Sequence, residues 1–101
     1  MKEAEARKLM DELFERHNVP PIPLTFYPKP ITTKSQFVTP LGGVFTHKQI
    51  IYGFFRVRRV IDEDECWIEF WGLPSENTVR HEFRHYLDWL GQKYIRRPRR
   101  G

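Results

Sequence analysis

The stretch Ser75-Glu76-Asn77-Thr78-Val79-Arg80-His81-Glu82-Phe83-Arg84-His85-Tyr86-Leu87-Asp88-Trp89-Leu90-Gly91-Gln92 decides how this 101-residue chain is read. At about 100° per residue, Tyr86, Val79, Leu90, Phe83 and Leu87 fall within an arc of about 100°, an apolar stripe made for a core. His81 and His85 stand only about 40° apart on the other side, with Asp88, Gln92 and Thr78 around them and Glu82 at the margin. Ser75 is a good N-cap, and Glu76 places a negative charge in the first turn. The spacing predicts an amphipathic helix from Ser75 to about Gln92, one side for packing and one side for chemistry.

Upstream, Gly72-Leu73-Pro74 separates this helix from a region of period two. Between Phe37 and Trp71, β-branched and aromatic residues dominate, and strands are expected near 36–39, 43–46, 49–61 and 66–71. Gly42-Gly43 reads as a turn or bulge. Asp62-Glu63-Asp64-Glu65 reads as a solvated hairpin tip, since it lacks the spaced ligands and glycine of a calcium loop. Ile22 to Tyr27 reads as a short strand whose Pro23 places it at an edge or a strand start, and Pro28 to Gln36 as a loop. Near the N-terminus, Ala6, Leu9, Met10, Leu13 and Phe14 keep helical spacing, so a first helix is expected from Lys2 to His17. Asn18 suits a left-handed C-terminal position, Pro20-Pro21 forbids continuation, and His17 reads as a cap. The order helix, three- to four-stranded antiparallel sheet, helix is an α+β domain, expected to span residues 1–95 with a basic tail at 96–101.

Within the second helix, His81-Glu82-Phe83-Arg84-His85 is an HExxH sequence. Two imidazoles four residues apart on a helix can reach one Zn²⁺, and the glutamate between them stands where it can take a proton from an attacking water. His81 and His85 are therefore the candidate metal ligands, Glu82 the candidate general base, and zinc the expected cofactor.

The ten residues Thr78-Val79-Arg80-His81-Glu82-Phe83-Arg84-His85-Tyr86-Leu87 resemble the active-site helix of the zincin metalloproteases. The wider layout is similar to their smallest members, the archaeal minigluzincins and the related SprT-like domains, which also place a helix and a small sheet before the motif helix. Leu41-Gly42-Gly43-Val44-Phe45, followed by Gln49-Ile50-Ile51-Tyr52, resembles their glycine-marked strand pair. The resemblance implies a peptide or protein substrate, laid as an added strand along the sheet edge beside the helix. Two features depart from the pattern. Arg84 is charged where the family prefers an uncharged residue, and no glutamate follows Glu82 to act as the third ligand that gluzincins take from downstream.

Other residues are then candidates for that third position. His47, before the long strand, could approach from the sheet, though a turn histidine is usually solvent-exposed. Glu69, sharing a strand face with Trp67 and Trp71, could point at the helix. Cys66 is a soft ligand, yet a lone strand cysteine is usually a small buried apolar residue. A partner subunit is a further source. Asp88 shares the histidine face but stands about 10 Å along the axis from His81, so it suits a hydrogen bond to His85 better than the metal. Tyr52 and Tyr94 remain open as oxyanion donors, whereas Tyr86 belongs to the apolar stripe.

Composition bounds these readings. Forty per cent hydrophobic and 30% charged residues suit a globular chain, and no apolar run approaches the span of a bilayer. No membrane partner is expected. The charged N-terminus lacks the apolar core of a secretion signal, which makes a cytoplasmic location the expectation. A single cysteine excludes an intrachain disulfide framework. The net charge of +4 suggests nucleic acid, but Lys93, Arg96, Arg97, Arg99 and Arg100 supply five of the 17 basic residues. The rest of the chain holds 12 basic against 13 acidic side chains. The alternative function is therefore a nucleic-acid-binding or interaction protein with a latent zincin site, using Arg96, Arg97, Arg99 and Arg100 with support from Arg56, Arg58 and Arg59.

Overall fold

The computed structural model describes residues 1–61 and 63–96, with side chains to Gly91 apart from Val60. The tail arginines Arg97, Arg99 and Arg100 lie outside the described residues, and Arg96 is placed only as the last residue of the second helix.

The first helix, α1 (Glu3–Arg16), begins where the Lys2 backbone N–H donates to Glu5 Oε1 at 3.1 Å. It ends as expected, with His17 at the C-cap and Asn18 left-handed at φ 52°. Its apolar side, Ala6, Leu9, Met10, Leu13 and Phe14, is buried. The second helix, α2 (Glu76–Arg96), starts at Ser75, whose Oγ accepts the Thr78 backbone N–H at 3.1 Å. Its Val79, Phe83 and Tyr86 meet the α1 stripe over Ile68 and Phe70 of the sheet, and these ten side chains form the core. Phe14, Phe83 and Tyr86 contact edge-on, and the Tyr86 hydroxyl donates to the Pro20 carbonyl at 2.7 Å. The motif helix is thus held by its apolar stripe.

Five strands lie between the helices: β1 (Leu24–Tyr27), β2 (Ile31–Val38), β3 (Val44–Ile51), β4 (Gly53–Val60) and β5 (Glu63–Trp71). They form a three-stranded sheet, β1-β5-β4, and a separate β2-β3 ribbon. The α+β architecture with an N-terminal helix and a C-terminal motif helix stands. Its strands differ from expectation in three respects. β1, an edge strand as its proline implied, runs parallel to β5 rather than antiparallel. The expected loop at 28–36 is already strand from Ile31, because Thr32 to Gln36 are exposed on both ribbon faces and carry no apolar alternation. The expected strand 49–61 is interrupted at Tyr52, so its first part belongs to the ribbon and its second to the sheet.

The ribbon projects. Every residue from 32 to 50 except Thr39 is exposed. The chain reaches 54 Å in its longest direction, with a radius of gyration of 17.4 Å against about 13 Å for a compact domain of this length.

On the sheet face away from the helices, Glu69 is almost fully buried and accepts from Trp67 Nε1 at 2.9 Å, Arg56 Nε at 3.2 Å and Trp71 Nε1 at 3.3 Å. Burial pushes its carboxyl upward, but the two indoles and the Arg56 guanidinium outweigh it, leaving the pKa below the ordinary 4.5. A lowered folded-state pKa contributes stability in full above the ordinary value and loses it as pH falls through the lowered one. Glu69→Gln is therefore expected to flatten the loss of thermal stability below about pH 4.5, read from unfolding temperatures across that range.

Candidate functional site

His81 and His85 stand exposed on α2, with Glu82 between them turned toward β4. The two imidazoles meet edge-on, ring centroids 4.5 Å apart, with their Nε2 atoms 3.0 Å from each other. Two nitrogens held by one tetrahedral zinc at about 2.0–2.1 Å each would lie about 3.3 Å apart. The pair is therefore close to the spacing that a shared metal requires, and both rings are exposed to an incoming ion.

Glu82 differs from them. It is only 6% exposed, turned against the start of β4, and its carboxylate accepts the Phe55 backbone N–H. Burial raises its pKa above the ordinary range, against the opposing pull of His81, His85 and the Phe55 N–H. A carboxyl so placed is a stronger proton acceptor than a solvated one.

What admits Glu82 to this position is Gly53. A Cβ there would stand 3.0 Å from Glu82 Cγ, 3.2 Å from Thr78 Cγ2 and 3.3 Å from Glu82 Oε2. The strand and the helix therefore approach through a position with no side chain. Gly53→Ala is expected to force the helix or the Glu82 side chain aside and to cost about 1–3 kcal/mol, measured by urea denaturation. Sequence reading passed over Gly53, although a glycine heading an aromatic strand marks close backbone approach. It also missed Thr78 as a wall of the site and the Phe55 N–H as a partner of Glu82.

Between the end of β3, the start of β4 and α2 lies a cleft of about 430 Å³, lined by Gln49, Tyr52, Gly53, Asn77, His81 and Glu82 among others. Of the tyrosines left open as oxyanion donors, Tyr52 lines this cleft, and the Tyr94 side chain lies outside the described residues.

Both candidates for the third ligand lie elsewhere. His47 is exposed in the ribbon opposite Ser35, because the strand that carries it turns away from the sheet before reaching the helix. Glu69 lies on the far face of the sheet, where Trp67, Trp71 and Arg56 occupy its oxygens. Asp88 lines the groove between α1 and α2 with His17 and Arg84, while the ring contact of His85 goes to His81. Cys66 is half-buried on β5, and His17 packs its ring 5.1 Å from that of Phe83. Among the described residues no group of three or more His, Cys, Asp or Glu side chains is disposed around one ion.

The arginines read as a nucleic-acid surface have local partners. Arg56 pairs with Glu69, Arg58 with Glu65 at 2.6 Å and Arg59 with Asp64 at 3.2 Å. The acidic run is thus more than a solvated tip, since its last two residues stand across the β4–β5 ladder from arginines. No described helix is long and apolar enough to cross a membrane. Comparison with protein-family models, with curated proteins and with solved structures found no match to this chain.

Proposed function

We propose that the chain is a zinc-dependent metallopeptidase of the minimal zincin type. His81 and His85 hold the metal, and Glu82 acts as general base. The observation that carries this reading is the 3.0 Å convergence of the two Nε2 atoms beside a buried carboxylate. Two imidazole nitrogens that hydrogen-bond to each other at 3.0 Å need only small ring rotations to share one zinc, and the remaining coordination positions are left to ligands other than the described side chains. Zinc, when bound, supplies a Lewis acid that polarises a carbonyl and acidifies water to a pKa of about 7.

The chain's own groups do the rest. Glu82, its carboxyl poised by burial, accepts the proton of the water that adds to the scissile carbonyl carbon. It then returns that proton to the amine as the C–N bond breaks. The Phe55 N–H and the bare face of Gly53 hold the Glu82 carboxylate in this position. The extended substrate lies in the cleft between the end of β3, the start of β4 and α2, its backbone paired as an added strand.

The test is hydrolysis of unfolded casein or a library of short peptides by the zinc-loaded protein. Cleavage should stop with a chelator and return with added zinc. Zinc-loaded protein that leaves every peptide intact contradicts the reading.

A further inference from the structure

We propose that the free edge of β3 is a docking rail for an acidic, extended polypeptide, which it leads into the cleft beside His81 and Glu82. The delivery to the cleft rests on the peptidase reading above; the binding does not.

The rail follows from how the strands share one edge. Only Tyr52 separates β3 from β4. On one side, the Tyr52 carbonyl accepts the N–H of Trp71, the last residue of β5, at 2.8 Å, and Ile51 pairs with Ile31, the first residue of β2. Pro30 lies directly over the end of β5, so close that a Cβ on Gly72 would stand 2.9 Å from Pro30 Cδ. β2 therefore takes up the edge of the 44–60 segment where β5 leaves it, and among the described residues the opposite edge carries no strand. The cleft lies on that opposite edge, since β3, β4 and α2 line it and β2 does not. In an antiparallel ladder, outward and inward backbone groups alternate. With Tyr52 bonded to β5, the outward set on β4 is Gly53, Phe55, Val57 and Arg59, and one of these N–H groups is already used by Glu82. An open strand edge beside a cleft is a template for an added strand.

Charge states what that strand carries. From residue 16 to residue 61 the chain has no Asp or Glu. In the ribbon, Lys34 stands directly opposite Lys48, an unfavourable like-charge pair in a solvated two-stranded ladder. A carboxylate on a third strand, next to Lys48, offsets that repulsion with an attraction on the open side. Phe45, on the strand face opposite Lys48, is more than half exposed and would be covered by the apolar residues that alternate with the acidic ones. A second copy of this chain fits poorly. Antiparallel pairing of β3 with its own copy centres on His47 opposite His47 or Lys48 opposite Lys48, with no carboxylate from either strand.

The experiment uses the full chain carrying Glu82→Gln, to prevent turnover, with chelator present. Fluorescence anisotropy compares a labelled twelve-residue peptide alternating Glu with Val and Thr, the same peptide with Lys for Glu, and a labelled DNA duplex. The acidic peptide is expected to bind about tenfold more tightly than the basic one. Methylation of alternate backbone nitrogens should abolish its binding. Lys48→Glu, which places a carboxylate opposite Lys34 and so keeps the ribbon intact, should reverse the preference. Equal binding of the two peptides, a preference unmoved by Lys48→Glu, or tighter binding of the duplex overturns the proposal. The peptidase reading fails separately: a protein that takes up no zinc but keeps the peptide preference contradicts that reading alone, while zinc-dependent cleavage with no charge preference contradicts the rail alone.

Discussion

Glu82→Gln is expected to lower peptide turnover by about 10²–10⁴-fold while leaving the zinc content unchanged. The amide keeps the size of the side chain and an oxygen to accept the Phe55 N–H, so the packing against Gly53 survives. It cannot take a proton from water. Stability separates this effect from misfolding. Burial holds the Glu82 carboxyl above its ordinary pKa, so the charge is a cost to the folded state, and replacing it by a neutral amide removes that cost. The unfolding temperature of the variant should therefore not fall. Steady-state peptide hydrolysis, metal analysis and a thermal melt on one preparation check all three statements. Loss of activity together with loss of zinc or of stability would assign Glu82 a structural role instead.

Tyr86→Ala is expected to be the most destabilising single change in the motif helix, at about 3–5 kcal/mol. Tyr86 is 1% exposed and touches Phe14 of α1, Phe55 of β4, and Phe83 and Trp89 of its own helix, so its ring joins all three layers. Domains of this size have about 5–15 kcal/mol in total, and such a loss leaves little margin. Tyr86→Phe isolates the hydroxyl. It removes the hydrogen bond to the Pro20 carbonyl and should cost about 0.5–1.5 kcal/mol while retaining the fold. Urea denaturation, with the midpoint and slope compared across the three proteins, measures both. A Tyr86→Ala cost no larger than that of Tyr86→Phe would show that the ring does not anchor α2.

The parts of this account that were legible in the sequence are those set by short-range physics. Ser75 and the apolar stripe defined α2, and helical spacing alone put His81 and His85 on one side of it. Asn18 and the prolines ended α1 for equally local reasons. Glu82 was read as lying with the histidines at the margin of the polar side. Its burial depends on Gly53, 29 residues earlier, and periodicity within one helix does not report such an approach. The first half of β2 was illegible for a related reason. A strand solvated on both faces has no apolar alternation, so Thr32 to Gln36 resembled a loop. The break at Tyr52 and the parallel pairing of β1 with β5 are consequences of how distant strands share edges. Glu69 looked available because indole partners two residues away on either side leave no mark in a strand pattern.

The central claim is that His81 and His85 together hold zinc. Isothermal titration of the chelator-stripped protein with zinc tests it most directly, with His81→Ala and His85→Ala titrated alongside. Uptake of one equivalent by the parent protein, lost in either variant, is the predicted result. A parent protein that takes up no zinc, or variants that bind as the parent does, would contradict it.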